Sequence, residues 1–204
     1  MTIDNPFSTR FIDPKSHTFV FPAGQSLDRI GAYFRENGWW GEITGPRGTG
    51  KSTLLHTLCC WAEEQGCTYR FFFLNDQQQH LPLDWSFGPG VDFYAVDGAE
   101  QLPGWMWGWL AWHCRQRDSG LLATTHHSLR LPPLYQTRLA NAETIRRVVE
   151  AIAGPENVPD PDLARQLAAK HSGDIRSVLF ELYDSWENEA RVSAMVSTIY
   201  VIGE

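Results

Sequence analysis

The chain has 204 residues, 43% of them hydrophobic, enough to bury the core of one domain or of one domain with a small appendage. A formal charge of -7 and a pI near 5.5 argue against a generally basic, nucleic-acid-coating surface and leave room only for a local basic patch. No apolar run approaches the length of a membrane span, and Cys59, Cys60, Cys67 and Cys114 lack CxxC spacing with no signal peptide ahead of them, so reduced thiols and a cytoplasmic setting are expected.

Residues 1–25 are turn-rich, with Pro6, Pro14 and Pro22, and read as an N-terminal linker. Ser26 then caps an amphipathic helix over residues 27–35, with Gly38 just past its end, and residues 39–44 read as a strand. Between that strand and a helix over residues 51–65 stands Gly45-Pro46-Arg47-Gly48-Thr49-Gly50-Lys51-Ser52, two glycines spaced as in a phosphate loop and followed by Lys-Ser. The spacing has a chemical reason. Glycines let backbone N–H groups curl round a β-phosphate, a lysine reaches the β and γ oxygens, and a serine hydroxyl ligates Mg²⁺. The nucleotide-binding set is therefore Gly45 through Ser52 with Thr53, the ligand expected is ATP, and Mg²⁺ is expected on Ser52.

Residues 68–74 form a second strand, aromatic enough to predict burial on both faces, ended by Asn75-Asp76. A short crossover rich in Pro and Gly follows, in which Gln77, Gln78 and Gln79 read as a solvated turn. Residues 91–97 make an apolar strand ending in Asp97, the form in which a buried strand aims a carboxylate at a Mg²⁺ shell, so Asp97 joins Ser52 as a metal-side residue. The next residue is Gly98 and the nearest further acid is Glu100. That acid either places an attacking water or begins the following helix, where a carboxylate suits the N-terminal dipole.

Trp105, Trp109 and Trp112 recur at i, i+4 and i+7 and predict a helix face packed on the sheet, with Trp107 on another face and exposed; a protein contact is the alternative. Residues 120–127 run apolar and then turn to Thr-Thr-His-His, so that Thr125, or else His126, is expected to hold the water or the γ-phosphate. The two histidines have no third ligand at metal spacing. Residues 128–136, with Pro132-Pro133, are given a short helix, and residues 137–140 the last strand. Three helices complete the chain, over residues 142–153, 161–170 and from 174 onward, started or stopped by Gly154, Asp160-Pro161 and Gly173-Asp174. The reading is an α/β P-loop core, a parallel five-stranded sheet flanked by helices over residues 26–141, followed by a small α-helical lid over residues 142–204.

In this order the motifs resemble the AAA+ ATPases, in the clamp-loader and origin-recognition branch, across residues 26–190. The resemblance makes Gly45–Ser52 the Walker A loop, Asp97 the Walker B aspartate and Thr125 the sensor-1 residue. It makes Arg138 the finger offered to a neighbour's γ-phosphate and Arg176, in Ser172-Gly173-Asp174-Ile175-Arg176, the lid residue that binds the nucleotide in cis. It implies ATP hydrolysis with Lys51, Asp97, Glu100, Thr125, Arg138 and Arg176 as the catalytic set, and a homo-oligomer or a partner protein. Gly98 departs from the usual acid pair and is similar instead to the Asp-Gly-x-acid form of STAND-type signalling ATPases, which implies slow hydrolysis or a binding switch. No DNA-binding domain is read after the lid, so nucleic acid is not an expected direct ligand. The competing readings are a nucleotide-dependent interaction module with negligible hydrolysis and a small-molecule kinase.

Overall fold

The computed structural model describes residues 18–22, 24–81 and 90–201, with side chains to residue 188. Most of the N-terminal linker and residues 82–89 of the crossover lie outside the described residues. The chain divides into two compact units, one spanning Phe21–Arg138 and one that takes up the chain from Leu139.

The first unit opens with α1 (Leu27–Glu36), whose N-cap Ser26 accepts from the Arg29 N–H. β1 (Trp40–Thr44) leads through the glycine loop into α2 (Lys51–Glu64), followed by β2 (Tyr69–Phe73), β3 (Phe93–Asp97), a 3-10 turn (Ala99–Gln101), α3 (Gly104–Gln116), β4 (Gly120–Thr125) and β5 (Pro133–Gln136). The strands form one parallel sheet in the order β2-β3-β4-β1-β5. Parallel pairing puts every carboxyl end on the same edge, so the glycine loop after β1, Asp97 ending β3 and the polar residues ending β4 meet there.

β3 shows how the sheet divides its side chains. Phe93 faces the α1 side, edge-on to Phe34 at 5.2 Å and stacked with Trp39 at 5.9 Å, while Tyr94 and Val96 enter a cluster with Leu110, Ala111 and Cys114 of α3 and Leu121 and Ala123 of β4.

Three expectations are corrected. β2 is an edge strand, not one buried on both faces, and Phe73 is 55% exposed. The last strand is Pro133–Gln136, where a short helix was expected, and residues 137–140 are irregular. Pro133 is tolerated because β5 is an edge strand, and the preceding carbonyl, Pro132 O, still accepts from the Glu42 N–H at 2.9 Å. On α3 the faces are inverted: Trp107 packs on the core cluster, whereas Trp105, Trp109 and Trp112 are 71%, 44% and 55% exposed. The inward stripe is Trp107, Leu110, Ala111 and Cys114, itself at helical spacing, and its small residues let the helix lie close to the sheet.

In the second unit, α4 (Ala142–Ala153) is capped by Asn141 and α5 (Pro161–Lys170) by Asp160, and α6 spans Ile175–Val201. Ile145, Val149, Leu167, Val178 and Leu179 form its core. The turn before α6 needs Gly173: its φ is +75°, an added Cβ would stand 2.8 Å from Leu139 Cβ, and its carbonyl accepts from Ala140 N–H at 2.8 Å.

Candidate functional site

The loop between β1 and α2 is built to bring backbone close to a ligand. Gly48 and Gly50 sit at φ +72° and +87°, and Gly45 at +150° leaves no room for a side chain, since a Cβ there would lie 2.1 Å from Thr137 Oγ1. The loop is fastened by its own hydroxyls. Thr49 Oγ1 donates to Pro46 O at 2.7 Å and pairs with Thr137 Oγ1 at 2.6 Å. Gly50, as N-cap, offers no side chain to the first-turn N–H groups of α2, whereas Ser26, Asn141 and Asp160 cap their helices with side-chain oxygens. Those N–H groups and the helix dipole therefore suit an anion.

Lys51 supplies the cation. It is buried, and Nζ donates to Gly45 O at 2.9 Å and Pro46 O at 2.7 Å. Burial holds its ammonium pKa below the ordinary lysine value, and the negative charges of Glu100 and Asp97 partly oppose that shift. Asp97 is also buried and accepts from Thr124 Oγ1 at 2.5 Å, while the same hydroxyl accepts from Gly98 N–H at 2.8 Å. Glu100, in the 3-10 turn, has Oε1 within hydrogen-bond distance of His126 Nε2, at 3.2 Å. Behind the loop Glu42 is buried on β1, and its carboxylate accepts from Ser128 Oγ at 2.6 Å and from the N–H groups of Leu129 at 2.7 Å and Leu131 at 3.3 Å. A cavity of about 890 Å³ opens beside the loop, lined by Gly45, Pro46, His126, His127, Tyr135 and Gln136 among others.

Neither a protein-family description nor a curated protein matches the sequence. Solved structures do match the backbone. Domain III of the replication initiation protein DnaA from Thermotoga maritima superposes with a TM-score of 0.56 at 12% identity, over 84% of this chain and 85% of that one. The RuvB Holliday junction branch migration motor of Thermotoga maritima gives 0.53 at 18% identity over 85% of this chain, and its T158V variant gives 0.53 at 16%. The chain spans 61% of the length of these RuvB chains. Both proteins are AAA+ P-loop ATPases. This chain has the AAA+ fold.

Within the AAA+ fold, Lys51, Asp97 and Glu100 lie close enough for the two carboxylates to act on the lysine charge. Ser52 and Thr53 are half-buried in the first turn of α2, and Pro46 and Arg47 are exposed at the loop tip. Thr125 is buried, and its hydroxyl donates to the carbonyl of His127 at 2.8 Å, within its own bend. Arg138 is exposed after β5, and Arg176 is exposed on the first turn of α6 in the second unit. The residue that joins the loop to Glu100 is His126, whose Nδ1 lies 3.0 Å from Gly45 O and 3.4 Å from Lys51 Nζ.

Thr124, Thr137 and Glu42 escaped the sequence reading. A signal for Thr124 exists only once the strand register is known. The β3–β4 register pairs Val96 with Ala123, so the next step along both strands sets Asp97 beside Thr124, and strand alternation turns Thr125 the other way. Glu42 and Thr137 carried none, because their partners are 86 to 93 residues away. The loop fits a nucleotide triphosphate: backbone donors, a buried ammonium and a nearby buried carboxylate are the groups that phosphate oxygens and a hard cation require. Among the described residues no helix is long and apolar enough to cross a membrane, and no cluster of three or more His, Cys, Asp or Glu forms a metal site of its own.

Proposed function

We propose that the chain binds Mg·ATP at the loop Gly45–Ser52, hydrolyses it slowly, and converts nucleotide state into movement of the helical unit and assembly with a second copy or a partner protein. Lys51 and the loop amides bind the β- and γ-phosphates, and Glu100 takes the proton of the attacking water. Ser52 and Asp97 would hold Mg²⁺, which supplies charge neutralisation when bound. Arg176 acts in cis and Arg138 in trans, roles that rest on the resemblance of their segments.

The observation that carries this reading is Lys51: an ammonium buried over a glycine loop, against its own desolvation, is costly unless an anionic ligand uses it. The test combines titration with a fluorescent ATP analogue, mass measurement in solution, and phosphate release. Saturable binding strengthened by magnesium, slow turnover and a mass increase with a non-hydrolysable analogue are expected. A folded protein that does not bind the analogue would sink the proposal.

The exposed face of Trp105, Trp109 and Trp112 favours a second reading, a nucleotide-dependent interaction module with negligible hydrolysis. Binding without phosphate release would select it.

A further inference from the structure

Glu100 holds its two oxygens differently. Oε1 lies 3.2 Å from His126 Nε2, whereas Oε2 is buried and has no hydrogen-bond partner among the described residues. Across the imidazole, Nδ1 faces the carbonyl oxygen of Gly45 at 3.0 Å. A carboxylate only accepts, so Nε2 carries the hydrogen that holds Oε1, while Nδ1 meets both the Gly45 carbonyl and, at 3.4 Å, the Lys51 ammonium. His126 thus spans from the first residue of the phosphate loop to the carboxylate.

The span is itself braced. β4 ends at Thr125, whose hydroxyl donates to His127 O, and the next residues are pinned by Glu42 through Ser128 Oγ and the Leu129 N–H. The charged and titratable groups around the imidazole are Glu100 from the 3-10 turn, Lys51 from α2, Asp97 at the end of β3, the adjacent His127, and Glu42 behind the bend.

We propose that His126 is the positioning residue for Glu100, and that it fits this acid, displaced two residues beyond Gly98, to activate water. The inference rests on the ATPase reading above. Held through Oε1, the carboxylate keeps only Oε2 for chemistry, and an unpaired buried oxygen is a ready acceptor for a water hydrogen. In hydrolysis the water oxygen forms a bond to the γ-phosphorus as its proton passes to Glu100 Oε2. The bond from the γ-phosphorus to the bridging oxygen breaks, and its electron pair leaves with ADP. His126 does not touch the reacting atoms and acts through Glu100.

The experiment measures kcat and KM for phosphate release, with ATP-analogue affinity, in wild type, His126→Ala, His126→Gln, Glu100→Gln and the double variant His126→Ala/Glu100→Gln. His126→Ala should lower kcat about 10- to 100-fold, at or below the usual size of a general-base contribution, with KM within about three-fold. His126→Gln, whose amide can donate to Oε1, should recover most of that loss. The double variant should be no slower than Glu100→Gln, because the two residues act as a unit.

Wild-type kcat in His126→Ala, a loss wholly in KM, or a further equal loss in the Glu100→Gln background would each overturn the inference. Should the alanine variant not fold, His126→Gln and its double with Glu100→Gln give the same non-additivity test. Nucleotide binding without any phosphate release by wild type would also overturn it while leaving the binding reading intact. Absence of binding by the folded protein would instead remove the reading beneath it.

Discussion

Replacing Lys51 by methionine separates what the lysine does for the fold from what it does for a ligand. The thioether keeps most of the apolar stem and removes an ammonium that burial disfavours, while Gly45 O and Pro46 O lose their donor, so the two effects offset and the free protein should melt close to wild type. The ligand-bound state behaves differently. Lys51 exchanges two bonds to the neutral carbonyls Gly45 O and Pro46 O for two to charged phosphate oxygens, so the gain is the excess of the ion-to-ion bond over the ion-to-carbonyl bond, about 1–1.5 kcal/mol each and about 2–3 kcal/mol together. At about 1.4 kcal/mol per decade, affinity should fall roughly 30- to 150-fold. Titration of a fluorescent ATP analogue reads the affinity, and thermal melting without nucleotide reads the fold.

Linkage adds a sign to the same prediction. The native lysine pKa lies below its unfolded value, so the unfolded chain binds more protons in the interval between them, and this group's contribution to stability rises with pH there. Lys51→Met should flatten that rise. A variant that melts well below wild type while binding the analogue within three-fold would refute the reasoning.

Trp107→Ala should cost about 2 kcal/mol in urea unfolding and Trp105→Ala less than about 0.5, since the first ring packs in the core and the second is 71% exposed; the reverse order would restore the discarded face assignment. Gly45→Ala forces a Cβ to within 2.1 Å of Thr137 Oγ1, and a cost of about 3 kcal/mol should lower the melting temperature by roughly 6–12 °C; an unchanged melt would show that the loop relaxes freely. In the second unit Glu181 accepts from Lys170 and then His171, which hold its carboxyl below the ordinary glutamate value. Its stabilisation is therefore complete above the ordinary glutamate range and is lost as pH falls through the lower native value, so Glu181→Gln should reduce stability at neutral pH and less at pH 3; equal effects at both would contradict the pairing.

What could be read in advance was what short stretches decide for themselves. The cap Ser26, the helix start at Asp160, the glycine loop and the carboxylate ending β3 are local signals, and each stands where its neighbours in sequence required. The inversion of α3 has a different origin. Periodicity groups Trp105, Trp109 and Trp112 on one face and Trp107, Leu110, Ala111 and Cys114 on another, but both faces are apolar, and only contact with the sheet chooses between them. Strand order was equally hidden, since nothing in Tyr69–Phe73 states that β2 closes the sheet at one edge, or in Pro133 that β5 closes it at the other. His126 stood beside Thr125 as an alternative, and its distances to Gly45 and Glu100 exist only after β1, β3 and β4 are laid side by side.

Gly98 first read as a missing acid. Its φ is +80°, and a Cβ there would stand 2.6 Å from the carbonyl oxygen of Leu74, so no glutamate fits at that place without moving the strand beside it. The turn and the displaced acid are thus one design choice. On the proposed hydrolysis, writing Glu at position 98 would add a side chain to a space the main chain already fills, beside the Gly98 N–H that donates to Thr124. The route open to change runs through the 3-10 turn, whose length decides where the next carboxylate comes to rest.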